Sequence, residues 1–152
     1  MTRPRRYVPP RLPDAEPGPE TVVRQVFWRL GDGWVLRLRR AGPAGAPSED
    51  TLAVRGPGGV EWALDPGPEP AVAALFRAGA AHRVLALRRR YRVAGAEWDV
   101  DEYHWENEGL LLARPVTAAP APPGWRDVTA DPAYDEDALA YAPFTGWAAR
   151  SR

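Results

Sequence analysis

Between Val84 and Val116 the chain spells three strand-like runs separated by two turn signals, and their charges restrict the fold more than any other stretch. Arg88 to Val93 is β-rich and is broken by Gly95. Glu97 to His104 alternates, so Trp98 and Val100 point to one face and Glu97, Asp99, Asp101 and Tyr103 to the other. Asn107-Glu108-Gly109 reads as a hairpin turn, because Asn and Gly accept the positive φ such turns need. Leu110 to Val116 is the third run. A plain sandwich would place a second apolar layer where this meander places charge. Arg88, Arg90 and Arg92 opposite two aspartates predict a wet, charged interior instead.

The flanking segments extend the same pattern. Val22 to Leu30 and Trp34 to Arg40 are strands joined by Gly31-Asp32-Gly33; Trp34, Leu36 and Leu38 share one face, Val35, Arg37 and Arg39 the other. Thr51 to Arg55 pairs with Val60 to Leu64 across four residues rich in glycine, which brings Arg55, Glu61 and Ala63 onto one face. Pro70 suits a first helical turn, Val72, Leu75 and Phe76 follow at helical spacing, and Gly79 is the stop. Thr2 to Val8 is basic and proline-flanked, a disordered tail or an edge strand. Ala118 to Gly124 is an exposed loop, and Asp135-Glu136-Asp137 begins a short helix halted before Pro143, with its acids complementing the helix dipole. Many strands, few helices and arginines recurring on one face point to an antiparallel barrel whose interior holds a polyanion.

Composition narrows the classes. The 152 residues suit one domain, 1–152, without internal repeat. Cysteine is absent, which removes disulfides, thiolate nucleophiles and thiolate metal sites. Lysine is absent as well, so no Schiff-base chemistry is available. A net charge of zero argues against a general nucleic-acid binder. No apolar run is long enough to span a bilayer or to form a signal-peptide core, and the expectation is a cytoplasmic protein that does not engage membranes. His82 and His104 are isolated, without zinc spacing, and the tryptophans Trp28, Trp34, Trp62, Trp98, Trp125 and Trp147 read as core.

At this point the residues resemble a family. RRRYRVAGAEWDVDEYHWENEGLLLARPV is similar to the core of bacterial CYTH proteins, the triphosphate tunnel metalloenzymes, whose pattern there is Lys-x-Arg-Tyr, Trp-Glu-Val-Asp-x-Phe, a Gly-Leu turn and Leu-Ala-Glu-x-Glu. DVTADPAYDEDALAYAPFTGW resembles that family's ending, and RQVFW, VLRLRR and TLAVRGP resemble its upstream strands. The resemblance covers nearly the whole chain in order. It implies an α+β, mainly β fold: a closed antiparallel eight-stranded β-barrel, a tunnel, with a few short helices. Inward cations would hold a triphosphate and inward carboxylates a divalent metal.

The departures from the family pattern are one-sided. The first-strand signature Glu-x-Glu-x-Lys falls on Thr2, Pro4 and Arg6, so both acids are gone and the cation stays. Glu-Phe-Glu becomes Glu61-Trp62-Ala63, and Leu-Ala-Glu-x-Glu becomes Leu112-Ala113-Arg114-Pro115-Val116. The basic positions survive as Arg6, Arg37, Arg39, Arg55, Arg88 and Arg90. Mg²⁺ or Mn²⁺ needs several hard oxygen ligands, and only Glu61, Asp99 and Asp101 remain as candidates. Guanidinium groups grip phosphate oxygens without metal. Binding of a polyphosphate, triphosphate or nucleotide-like anion is therefore expected to outlast hydrolysis. Two rivals stand beside that reading: an active metal-dependent triphosphatase using the reduced ligand set, and an interaction scaffold with a relic tunnel. A structural alternative has the arginines simply paired with Glu61, Asp99 and Asp101 as an internal network.

Overall fold

The computed structural model describes residues 3–147. Nine antiparallel strands make one sheet: β1 Tyr7–Val8, β2 Thr21–Gly31, β3 Trp34–Pro43, β4 Glu49–Arg55, β5 Glu61–Leu64, β6 Arg83–Val93, β7 Ala96–His104, β8 Leu111–Pro115 and β9 Arg126–Asp127. Helices α1, Glu69–Ala78, and α2, Glu136–Tyr141, complete the regular structure with a few 3₁₀ turns. The strand order is β5-β4-β3-β2-β6-β7-β8-β1-β9, so β5 and β9 are edges that do not pair with each other.

This overturns the expected closed eight-stranded barrel: the sheet is open and has nine strands. The physical reason lies at its two edges. Proline cannot donate to a ladder, and Pro4, Pro9 and Pro10 bracket β1, which pairs over Tyr7–Val8 alone. β5 is four residues long and exposed along its whole length. Of the segment Thr2 to Val8, expected as a tail or edge, Thr2 lies outside the described residues, and Tyr7–Val8 is an inner strand between β8 and β9. The sheet still curls, because the approach to β1 and the strands β3 to β5 line one cavity.

Both faces are covered. On the convex side α1 seats Val72 and Phe76 on Val26 and Leu38, while Tyr7, Tyr91, Trp98, Val100 and Ala113 pack under the loops that carry Ala15 and Trp125. On the concave side Phe27, Val35, Val84, Ala86, Tyr103 and Leu112 form an apolar zone, into which α2 inserts Leu139 and Ala140. Trp98 is fully buried, as expected, whereas Trp62 is 53% exposed and stacks on Trp34 outside the core. Among the described residues no helix is long and apolar enough to cross a membrane.

Turn chemistry sets the registers. Asp32 and the glycines beside it all take positive φ and join β2 to β3. Ala94 and Gly95, at φ of 51° and 80°, form the two-residue connection between β6 and β7. The Asn107 turn differs from the expectation. Its positive φ values fall on Trp105 and Gly109, while Asn107 is buried and points inward. Its Nδ2 donates to the Leu139 carbonyl at 3.3 Å, and its Oδ1 accepts from the Phe144 N–H at 2.8 Å. The residue read as a turn former is thus the clamp that seats α2. Trp105 carries its strained backbone beneath Arg83, whose guanidinium lies 4.1 Å from the ring centroid.

Two substitutions test this account by urea denaturation. Asn107→Ala leaves a buried N–H and carbonyl unpaired and is expected to lower stability by about 2–3 kcal/mol. Ala94→Asn supplies a side chain that tolerates the left-handed region and is expected to raise it by about 1 kcal/mol.

Candidate functional site

The concave face outside the apolar zone is a cationic trough. Strand alternation sends Arg37 and Arg39 of β3, Arg55 of β4, Arg88 and Arg90 of β6 and Arg114 of β8 to the same side, and Arg6 joins them from just before β1. The trough opens into a cavity of about 790 Å³ lined by Arg6, Arg37, Arg55, Glu61, Arg114 and Glu136, among others. Of the three first-strand positions Thr2, Pro4 and Arg6, Thr2 lies outside the described residues, and Pro4 and Arg6 line this cavity.

The arginines are held by carboxylates, at depths that differ. Asp101, 2% exposed, takes two of them: Arg88 donates through Nε at 2.7 Å and Nη2 at 3.1 Å, and Arg114 through Nη1 at 2.8 Å. That hydrogen bond is the main reason the Arg88 pKa rises above its ordinary value, against the opposing effect of burial. At the far end Arg90, 51% exposed, reaches Asp99 at 3.0 Å, and Arg92 is exposed beyond it. At the mouth Arg37 donates to Glu61 at 3.2 Å. Asp101 and Asp99 therefore sit cross-strand from the arginines that they neutralise.

A second set of acids comes from the segment that starts α2. Asp135 meets Arg6 Nη2 at 2.8 Å, and Arg6 also donates to the Asp131 carbonyl at 2.9 Å. Asp137 accepts from Arg55 at 3.1 Å and from Arg29 at 3.3 Å. Glu136 accepts from Gln25 and lies 3.9 Å from Arg114. These acids, expected to complement a helix dipole, face the trough instead. The signal for that was present: three successive acids immediately precede the apolar Leu139 that anchors the helix inside. Arg114 was legible as a cation replacing an acid, and β8 alternation turns it inward opposite Asp99.

Arg39 stands apart. It is half-buried and has neither hydrogen bond nor ion pair among the described residues. Burial lowers its pKa, and the neighbouring charges of Arg88 and Arg37 act in the same direction, opposed by Glu136 and Asp101. Nearby, the buried Tyr103 hydroxyl has no hydrogen-bond partner among the described residues, and burial first, then Glu136 and Asp101, raises its pKa and keeps the phenol neutral.

No protein-family model matches the chain. Over 64 residues it is 38% identical to an inorganic triphosphatase of Acetivibrio thermocellus, a match spanning 38% of this chain and about two fifths (41%) of that protein's length. Two crystal structures of NE1496, one described as a hypothetical protein and the other as an inorganic triphosphatase, superpose with a TM-score of 0.70 at 22% identity. The superposition covers 93% of this chain and 99% and 96% of those chains. The chain shares the fold of those two structures.

A hard dication needs several oxygens free to coordinate it. Among the described residues no three His, Cys, Asp or Glu side chains group closely enough to hold a metal ion. Glu61, Asp99 and Asp101 are spread from the mouth to the far end, and each accepts from an arginine. This donor set does not fit a tunnel metal, and no catalytic step is derived through one.

The depth difference between the carboxylates has a measurable consequence. Asp101→Asn orphans two partly buried guanidinium groups and is expected to cost about 3 kcal/mol. Asp99→Asn releases a solvent-screened arginine and should leave the denaturation midpoint nearly unchanged. Equal losses would show that the buried pairing is no stronger than the exposed one.

Proposed function

We propose that this CYTH-fold chain binds a linear polyphosphate, a triphosphate or a nucleotide-like anion, with Arg6, Arg37, Arg39, Arg55, Arg88 and Arg90 as its phosphate-binding residues, and that its hydrolytic activity is weak or lost. The observation that carries the reading is the arginine-lined cavity of about 790 Å³, with Arg39 on the same sheet face and in no hydrogen bond or ion pair among the described residues. Guanidinium forks match phosphate oxygens in pairs, and a chain of phosphoryl groups places an anion at each successive arginine. Arg37 at the mouth is paired with the half-exposed Glu61, and the half-exposed Arg55 shares the more buried Asp137 with Arg29, so Arg37 can be re-partnered at little cost. Arg90 would serve a longer anion that reaches the far end of the trough. Binding in this reading needs no cofactor.

A second reading is favoured by the name of the Acetivibrio relative: a metal-dependent inorganic triphosphatase. It would need Mg²⁺ or Mn²⁺ on Glu61, Asp99 and Asp101, and those acids already serve arginines. Phosphoryl transfer asks for both charge stabilisation and an activated water. The arginines supply the first; the described residues offer no free carboxylate cluster for the second.

Thermal melting with tripolyphosphate in EDTA tests the binding reading. Clustered cations repel one another, so a polyanion should raise the melting temperature, with a gain of about 2.7 kcal/mol at a hundred times its dissociation constant. No shift with tripolyphosphate, pyrophosphate or ATP at low salt would leave the scaffold reading. In parallel, phosphate release with Mg²⁺ or Mn²⁺ is expected to fall far below an ordinary turnover of ~1–10³ s⁻¹. Robust release that disappears in Asp101→Asn would establish the second reading instead.

A further inference from the structure

The acids that begin α2 do more than neutralise the trough. We propose that Asp135, Glu136 and Asp137 are a built-in competitor for the arginine cradle and set its specificity, admitting highly charged polyphosphates and excluding ions of low charge. The inference rests on the cradle reading above and concerns which anions that site accepts.

Three observations support it. The acids are consecutive, and each engages a different wall: Asp135 holds Arg6, Glu136 faces Gln25 and Arg114, and Asp137 joins Arg55 to Arg29. Arg6, Arg55 and Arg114 are also cavity-lining residues, so an anion in the cavity and the acidic turn compete for the same donors. The turn, moreover, belongs to no ladder. Its segment is fixed by Leu139 in the apolar zone and by Asn107 beyond it, which leaves the acid side chains free to swing away while the helix stays seated.

Charge arithmetic then gives selectivity. A ligand that takes Arg6, Arg55 and Arg114 must replace three carboxylates at once. Orthophosphate can engage one cluster of donors and would return too little for the acids it disturbs. A triphosphate carries an anionic group for each of these three arginines. Where the acidic turn is displaced as a unit it subtracts nearly the same free energy from every anion, which leaves the ratio of affinities unchanged and drops the small, weakly held ones below measurable binding.

Isothermal titration with orthophosphate, pyrophosphate and tripolyphosphate, in EDTA and at fixed ionic strength, tests the inference. It compares the wild-type chain with Asp137→Asn and with the triple variant Asp135→Asn, Glu136→Gln, Asp137→Asn. Asp127→Asn, which removes the same charge outside the trough beside Arg5, is the control. The expected result is an affinity gain of about tenfold for pyrophosphate in Asp137→Asn, a larger gain in the triple variant, orthophosphate binding that becomes measurable in the triple variant, and no change in the control. Unchanged or weaker binding in Asp137→Asn, with wild-type binding intact, overturns the competitor and leaves the cradle standing. An equal gain in Asp127→Asn overturns it too, as a general charge effect. Binding by neither wild type nor variants removes the cradle, and this inference with it. Should the triple variant fail to fold, Asp137→Asn decides alone, since Arg29 and Arg55 are about half exposed and hydrate when released.

Discussion

Everything on the concave side depends on one constraint: an arginine cannot shed its charge, so each guanidinium turned inward must find a carboxylate or an anion. Asp101 meets that demand twice, between Arg88 on β6 and Arg114 on β8. It thereby stitches three neighbouring strands together on the trough side, while Trp98 and Val100 of the same strand do so on the other. Where strands offer no acid, α2 brings them, and the position of that helix follows from charge as much as from Leu139. Among the described residues Arg39 is where the demand goes unmet, on the same sheet face as the cavity-lining Arg37.

The open sheet changes what kind of container this is. A closed barrel holds its interior residues by hydrogen bonds all the way round. Here prolines shorten β1, β5 is brief and exposed, and the gap is managed by curvature and by α2. The apolar zone around Tyr103, Leu112 and Leu139 serves as the floor of the trough, so the cation-rich part can stay hydrated without costing the fold its core. That division of one face into a dry end and a wet end places the charged trough on the same face as a buried phenol whose hydroxyl has no hydrogen-bond partner among the described residues.

Much of this was legible in the sequence, for reasons that differ by residue. Strand alternation is a local property, so the shared face of Arg37 and Arg39, of Arg55 and Glu61, and of Asp99 and Asp101 followed from period-two reading alone. Glycine and proline marked the turns near Gly31, Gly56 and Gly95 because their backbone limits are intrinsic. Closure was not legible, since whether β5 meets β9 depends on summed twist and on ladder length across the whole sheet. Asn107 misled for a related reason: its residue type fits a turn, yet its burial and its bonds to Leu139 and Phe144 depend on a helix 30 residues away in sequence. The acids at Asp135 to Asp137 were read locally as a dipole complement, and their true partners come from β1, β2, β4 and β8.

The contrast between strand-borne and helix-borne acids has a physical meaning. Asp101 is locked into the β6–β7–β8 ladder and is buried between its arginines, so it cannot leave without unpicking the sheet. Acids at such positions neutralise permanently. Asp135, Glu136 and Asp137 stand on a six-residue helix and the residue before it, and their removal from the arginines breaks no backbone ladder. Carboxylates missing from Thr2, Pro4, Ala63, Arg114 and Val116 thus have a counterweight elsewhere, consistent with a net charge of zero over the whole chain. A tunnel whose acids are fixed in strands is suited to holding a dication beside phosphate, because the ligands cannot retreat. A trough whose acids stand outside the ladders, on side chains that can change partners while the helix stays seated, suits the exchange of one anion for another that the proposed cradle requires.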